Sequence, residues 1–201
     1  MHADSAAPCL IILTAPSGAG KSSVARGVLR AFPAFHFSVS ATTRAPRGQE
    51  KEGVHYHFLS EAAFRQLIED GALAEYEEVY AGVLYGTLRR EVEGRGTPVL
   101  LDIDVKGATR LKARYGDRAL VLFIAPPSLE ALATRLQERG TESEDRVRVR
   151  LARAREEMTY ADRFDACVVN DELDRATAEA VALIRPFVDR GLSTPSPLNH
   201  G

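Results

Sequence analysis

The run Ala15-Pro16-Ser17-Gly18-Ala19-Gly20-Lys21-Ser22 has the residue types and spacing to hold a chain of phosphates. It follows an apolar stretch that reads as a strand and opens a pattern that reads as a helix, the context a phosphate loop requires. Gly18 and Gly20 let the backbone bend so that successive N–H groups face phosphate oxygens. The helix beyond them adds the positive end of its dipole. Lys21 can reach the outer phosphates and Ser22 can bind Mg²⁺, with Ser23 completing the nucleotide contact. The usual pattern begins with glycine. Here Ala15 stands in that place, so its backbone must sit at negative φ or the loop is strained. Alone, such a loop indicates a nucleoside triphosphate and does not separate a kinase from an ATPase, a GTPase or a transport motor.

Three other groupings could do chemistry. Arg44 and Arg47 lie three apart in a loop with Pro46 between them, and the planar fork of arginine suits a phosphate. Asp102 ends an apolar run, where a carboxylate can orient Mg²⁺ directly or through water. Arginines crowd the stretch from Arg135 to Arg155, interleaved with acids. Most of these read as surface ion pairs worth little each, but a moving phosphoryl group is stabilised by arginines.

The elements that must position these groups follow from the apolar pattern. Cys9 to Thr14, Pro98 to Leu101, Ala119 to Ala125 and Ala166 to Val169 are short aliphatic runs that predict strands covered on both faces. Helical patterns follow at Ser22 to Phe32, Val105 to Tyr115 and Leu129 to Arg139, the last with Ser128 as N-cap. A final helix runs from Glu172 towards Arg190, with Pro186 expected to kink or shorten it. Alternating strands and helices predict a parallel sheet in an α/β fold. Residues 36–89 break the rhythm with β-like pieces at His36 to Ser40 and His55 to Leu59 and one amphipathic helix ending near Gly71. They read as an inserted α+β subdomain, and the arginine-rich stretch as a helical hairpin or flap.

Composition narrows the class. A chain of 201 residues, 45% apolar and 27% charged, fits one ordinary globular domain with insertions. A formal net charge of −2 argues against a general nucleic-acid or membrane-surface binder. Cys9 and Cys167 lie in apolar runs and read as buried free thiols, which predicts a cytoplasmic setting. No apolar run reaches the roughly 18 residues of a membrane span, and the first residues do not form a secretory signal. Residues 191–201 read as a frayed tail.

Several further stretches resemble the guanylate kinase family. They are Ser38-Val39-Ser40-Ala41-Thr42-Thr43-Arg44-Ala45-Pro46-Arg47, Gly53-Val54-His55-Tyr56-His57-Phe58, Tyr85-Gly86-Thr87, Leu101-Asp102-Ile103-Asp104-Val105-Lys106-Gly107 and Pro126-Pro127-Ser128, in the family order. The resemblance spans about Leu10 to Asp171 and implies a P-loop NTPase-type sheet with an inserted GMP-binding subdomain and a helical lid. Residues 8–35 and 90–190 would form the core, with the lid at about 135–160, and residues 36–89 would bind GMP. By that resemblance Ser40, Arg44, Arg47, Tyr56 and Tyr85 hold the GMP phosphate. Glu75 accepts from the guanine N1–H and 2-amino group, a pattern adenine cannot supply, and Thr87 adds a base contact. Asp102 and Asp104 are open between the metal and the GMP side. Arg139 and Arg150 match the lid arginines, Arg135 is a further candidate, and Asn170 and Asp171 match the border of the adenine site. The activity implied is transfer of phosphate from ATP, with Mg²⁺, to GMP. The chain departs from the family spacing by one extra residue near Tyr80 to Gly82, and Val83 stands where a polar residue is expected. Three rival readings are another small-molecule kinase, which would lose the guanine contacts, an inactive binding module, in which the phosphate loop is usually damaged, and an ATPase or GTPase switch, which has no reason for the inserted subdomain.

Overall fold

The computed structural model describes residues 9–80, 82–138 and 144–193. In chain order the elements are β1 (Leu10–Thr14), α1 (Lys21–Ala31), β2 (His36–Phe37), β3 (Ala41–Thr42), β4 (His57–Phe58), α2 (Glu61–Glu69), β5 (Leu73–Tyr80) and β6 (Val83–Leu88). They continue as α3 (Arg89–Val92), β7 (Val99–Asp102), α4 (Val105–Tyr115), β8 (Ala119–Ala125), α5 (Leu129–Glu138), α6 (Glu144–Met158), β9 (Ala166–Val169) and α7 (Leu173–Ser193). Two compact units emerge. One joins Met1–Thr14 to Ala34–Val121, and the other joins Ala15–Pro33 to Leu122–Gly201.

In the first unit β2, β7 and β1 lie side by side and parallel, with Leu10 opposite Val99 and His36 opposite that same residue on the other side. Leu10 to Leu13 and Val99 to Leu101 are fully buried, as aliphatic strands covered on both faces must be. A second, four-stranded sheet runs β4-β3-β6-β5, mixing one parallel pair with antiparallel ones. Phe64 of α2 is wholly buried against Ala41, Leu73, Leu84 and Leu88, so truncating it to alanine would cost about 3–5 kcal/mol. Ser60 caps α2 by accepting from the Ala63 N–H at 3.2 Å.

The second unit holds the glycine loop, α1, the parallel pair β8 and β9, and helices α5 to α7. Ser128 caps α5, accepting from the Ala131 N–H at 3.1 Å. α5 and α6 form the expected helical hairpin, their shared apolar seam made by Leu132, Leu136, Val147 and Ala154.

The alternation of strands and helices, the parallel sheet and an α+β piece agree with the sequence reading, except that His36–Phe37, expected in the inserted piece, pairs with β7 in the parallel sheet. Some details differ. Residues 73–88 form a long antiparallel hairpin that the apolar pattern did not announce, because β5 carries Glu75, Glu77 and Glu78 among its apolar residues. Cys167 is exposed and Cys9 only half-buried, not buried thiols. In β9 only Val168 is buried, so that run is covered on one face. Pro186 does not shorten α7, which continues through it to Ser193. Both Pro186 and Ala182, whose carbonyl loses its N–H partner, are exposed, so water can satisfy that carbonyl. No helix among the described residues is long and apolar enough to cross a membrane.

Candidate active site

The glycine loop leaves β1 and turns into α1. Gly18 and Gly20 sit at φ 96° and 91°, in the left-handed region open to glycine, and no other residue type among those described has positive φ, Ala15 included. The loop is therefore unstrained at the position where glycine is replaced. Its own turn is closed by the Ala19 N–H donating to the Pro16 carbonyl at 3.1 Å. Gly20 is the N-cap of α1 and offers no side-chain acceptor. The first-turn N–H groups thus have no capping side chain and are suited to an anion. Ser22 is exposed, Lys21 half-buried, and Ser23 accepts from Arg26 Nη2 at 3.2 Å.

The loop is held from behind. Asn170, buried at the end of β9, donates its side-chain amide to the Ala19 carbonyl at 2.7 Å. A Cβ at Gly20 would lie 2.3 Å from that same amide nitrogen, and one at Gly18 would lie 2.9 Å from Leu136 of α5. Arg135, also on α5, donates to the Asn170 carbonyl at 3.0 Å. Thus α5, the end of β9 and the loop share one set of contacts. Arg150 is half-buried on α6; Arg139 lies outside the described residues.

In the first unit a second site takes shape around Arg44. Its Nε donates to the Tyr85 hydroxyl at 3.0 Å, and its guanidinium lies 4.7 Å from the Tyr56 ring centre and 5.6 Å from that of Phe58. Tyr56 and Tyr85 meet edge to face with centres 5.9 Å apart. Glu50 closes the fork: its two oxygens accept from Arg44 Nη1 and Nη2 at 2.6 and 2.8 Å. Burial raises the Tyr56 phenol, and the charges of Tyr85 and Asp102 add to it, so Asp102 acts electrostatically on this corner from the end of β7. Ser40 is half-buried, its carbonyl accepting from the His57 N–H at 2.9 Å, and Arg47 is exposed on the turn beyond.

Along the same β6 strand stands the third grouping. Glu75 of β5 faces Thr87 in register, and the Thr87 hydroxyl donates to Glu75 Oε1 at 2.7 Å. Tyr80 pairs with Val83 at the far end of the hairpin, beyond the Glu75–Thr87 and Glu77–Tyr85 pairs, so those two pairs keep a regular register. Asp104 caps α4, its Oδ1 accepting from the Gly107 N–H at 2.8 Å. A Cβ on Gly107 would come within 3.1 Å of Glu75 Oε2 and 3.5 Å of Asp104 Oδ1, so both carboxylates converge on one small corner. Burial pushes the Glu75 carboxyl up to about 7; the Thr87 hydrogen bond opposes this and the Asp104 charge adds to it.

A model of the guanylate kinase family matches residues 8–185. The chain belongs to the guanylate kinase family. It is 56% identical to the guanylate kinase of Salinibacter ruber over 181 residues, covering 89% of this chain and 96% of that one. It is 46% identical to the guanylate kinase of Chlorobium luteolum, over 92% of this chain and 95% of the other. The crystal structure of the guanylate kinase from Anaplasma phagocytophilum superposes with a TM-score of 0.74 at 29% identity, covering 92% of this chain and 88% of that one. The P-loop kinase fold of the guanylate kinase family is therefore the fold of this chain. Within it the first unit gathers Arg44, Tyr56 and Tyr85, and separately Glu75, Thr87 and Asp104. The second gathers the loop from Ala15 to Ser23 with Asn170. Sequence reasoning did not single out Glu50, whose only signal is its place three residues after Arg47 across a glycine turn.

Proposed function

We propose that this chain transfers the γ-phosphate of ATP to GMP, giving ADP and GDP. The observation that carries this reading is the face of β6. Tyr85, bonded to Arg44, and Thr87, bonded to Glu75, are two residues apart and so project from one side of the strand. Their separation along the strand is roughly 6.6 Å, a span that a nucleoside monophosphate bridges between base and phosphate. Arg44, Arg47, Tyr56, Tyr85 and Ser40 hold the phosphate. Glu75, with Thr87 and Asp104, accepts from the two adjacent donors of guanine. Adenine has an acceptor at N1 and would set a lone pair against the carboxylate.

The donor side uses Ala15 to Ser23, with backbone N–H groups and Lys21 on the phosphates and Asn170 bordering the adenine. Mg²⁺ takes one or two protein oxygens and otherwise waters and phosphates. Ser22 and Asp102 suit that sparse donor set, and the bound ion would neutralise charge on the phosphates. An oxygen of the GMP phosphate attacks the γ-phosphorus as the bond to the β–γ bridging oxygen breaks, and that oxygen leaves with ADP. The nucleophile is already anionic, so the chain's task is to position it in line and exclude water. Residues 36–89 present GMP, residues 8–35 and 90–190 present ATP, and the lid at about 135–160 closes with Arg139 and Arg150 on the transferring group.

The test is ADP formation from MgATP with GMP, AMP, UMP, CMP or no acceptor in parallel. Turnover with GMP alone supports the reading. Equal turnover with all acceptors removes the guanine assignment. GMP binding without ADP production makes the chain a binding module.

A further inference from the structure

Arg44 has five N–H groups, and most are already spoken for. Nη1 donates to the Ala45 carbonyl at 3.0 Å and to Glu50 Oε2 at 2.6 Å. Nη2 donates to Glu50 Oε1 at 2.8 Å, and Nε donates to Tyr85 at 3.0 Å. Glu50 thus grips the end of the guanidinium in a fork-on-fork pair. Arg44 also hydrogen-bonds to the Tyr56 phenol, and a further Nη2 N–H lies outside the Glu50 fork. It points along the other edge, the one that carries Nε and the Tyr85 hydroxyl. With Arg44 read as a phosphate ligand, that edge is the one turned to the substrate.

Glu50 does a second thing. Its Oε2 also accepts from the backbone N–H of Arg47 at 2.8 Å, and its own N–H donates to the Arg47 carbonyl at 3.0 Å. The turn between them uses Gly48 at φ 53°. One carboxylate therefore fixes both the guanidinium of Arg44 and the backbone from which the Arg47 side chain departs. The Arg44 side chain is only 9% exposed against 23% for Glu50, so the cation is held in a low-dielectric pocket of aromatic rings with its counter-charge on the outer side. The two hydrogen bonds from Arg44 hold the Glu50 carboxyl down at about 2, so the pair stays charged throughout the working range of pH.

We propose that Glu50 is a positioning residue for the acceptor phosphate: it consumes the end edge of Arg44, presents the Nε/Nη2 edge, and orders the turn that carries Arg47. The inference rests on the reading of Arg44 as a phosphate ligand. An alternative role for the same contact, a carboxylate that competes with the substrate phosphate, predicts the opposite sign. If Glu50 had to leave for phosphate to bind, its removal would tighten GMP.

The experiment measures binding of GMP and of guanosine to the full chain by calorimetry and by NMR titration, with steady-state kinetics alongside, for wild type, Glu50→Ala, Glu50→Gln, Glu50→Asp and Arg44→Ala. The expected result is a rise in the GMP Kd and KM of roughly tenfold or more for Glu50→Ala and Glu50→Gln, since a charge-assisted pair is lost. Guanosine binding and the KM for ATP stay within about twofold, because neither uses Arg44. Glu50→Asp keeps the charge on a shorter arm and recovers part of the loss. Unchanged or tighter GMP binding overturns the proposal, and so does an equal loss for guanosine, which would mark a structural role. If Arg44→Ala leaves GMP binding intact while wild type still binds it, the phosphate-site reading itself fails, whatever Glu50 does.

Discussion

The loop at residues 15–23 and the corner around Arg44 are both proposed as phosphate sites, but they are made of different material. The loop works with backbone N–H groups, and its one long cation is Lys21; its shape comes from two left-handed glycines and from Asn170 holding the Ala19 carbonyl. The corner works with side chains, and its shape comes from a carboxylate, a hydroxyl and two aromatic rings around Arg44. A backbone site resists most side-chain changes and is sensitive to anything that moves the main chain. A side-chain site is sensitive to the exact donor set of one residue. The two should therefore respond to different kinds of substitution.

The sharpest break falls on the one side chain the loop depends on. Lys21→Ala should lower kcat by about 10²–10³-fold with every acceptor, as loss of a single charge-stabilising donor does. GMP binding, measured by calorimetry without ATP, should be unaffected. A variant that lost both would show that the two regions are not separable in the way described.

Next in size is Arg44→Lys. The charge is kept, but the fork is not, and four hydrogen bonds from three nitrogens become the donors of one ammonium group. We expect kcat/KM for GMP to fall roughly 30- to 100-fold, with the KM for ATP unchanged. Retained activity would mean that this corner supplies charge alone. Smaller again is Asn170→Ala, which tests the backbone side. It removes the bond to the Ala19 carbonyl and leaves that oxygen without its partner. The KM for ATP should rise by about tenfold, and the GMP affinity should not move. Asn170→Asp should do worse than alanine, because a carboxylate would face a carbonyl oxygen.

How far all this could be read from the chain follows the same division. The loop was legible because its shape is encoded locally, in glycines next to a lysine after an apolar run. The strands β1, β7 and β8 were legible because near-complete burial writes itself as runs of apolar residues. The corner was legible only in part. Arg44 and Arg47 could be proposed as phosphate ligands, but nothing in residue type alone tells that Glu50 folds back onto both. The β5–β6 hairpin was hidden because Glu75 and Glu77 point where a half-buried strand would ordinarily carry apolar residues. A carboxylate buried to 9% exposure is a tertiary fact, and only the pairing of Glu75 with Thr87 reveals it.

That buried carboxylate yields the smallest and most diagnostic effect, because burial moves its titration into the neutral range. Glu75 has its ordinary value of 4.5 raised to about 7, chiefly by burial. In the folded chain it therefore keeps a proton that the unfolded chain releases above 4.5. Its contribution to stability is full below 4.5 and is lost as pH rises through about 7. Glu75→Gln, which never ionises, should gain in Tm relative to wild type as pH climbs from 5 to 8, read by thermal melts. Guanine needs the ionised form as acceptor, so GMP affinity should run the other way. From pH 8 to pH 6.5 a single group near 7 weakens binding by about fourfold. The GMP phosphate also titrates, near 6, and guanosine lacks it. If guanosine shows the same inflection near 7 and Glu75→Gln abolishes it, the proton belongs to Glu75. If the inflection appears with GMP alone, it belongs to the phosphate, and the base pocket binds guanine with a carboxylate already charged.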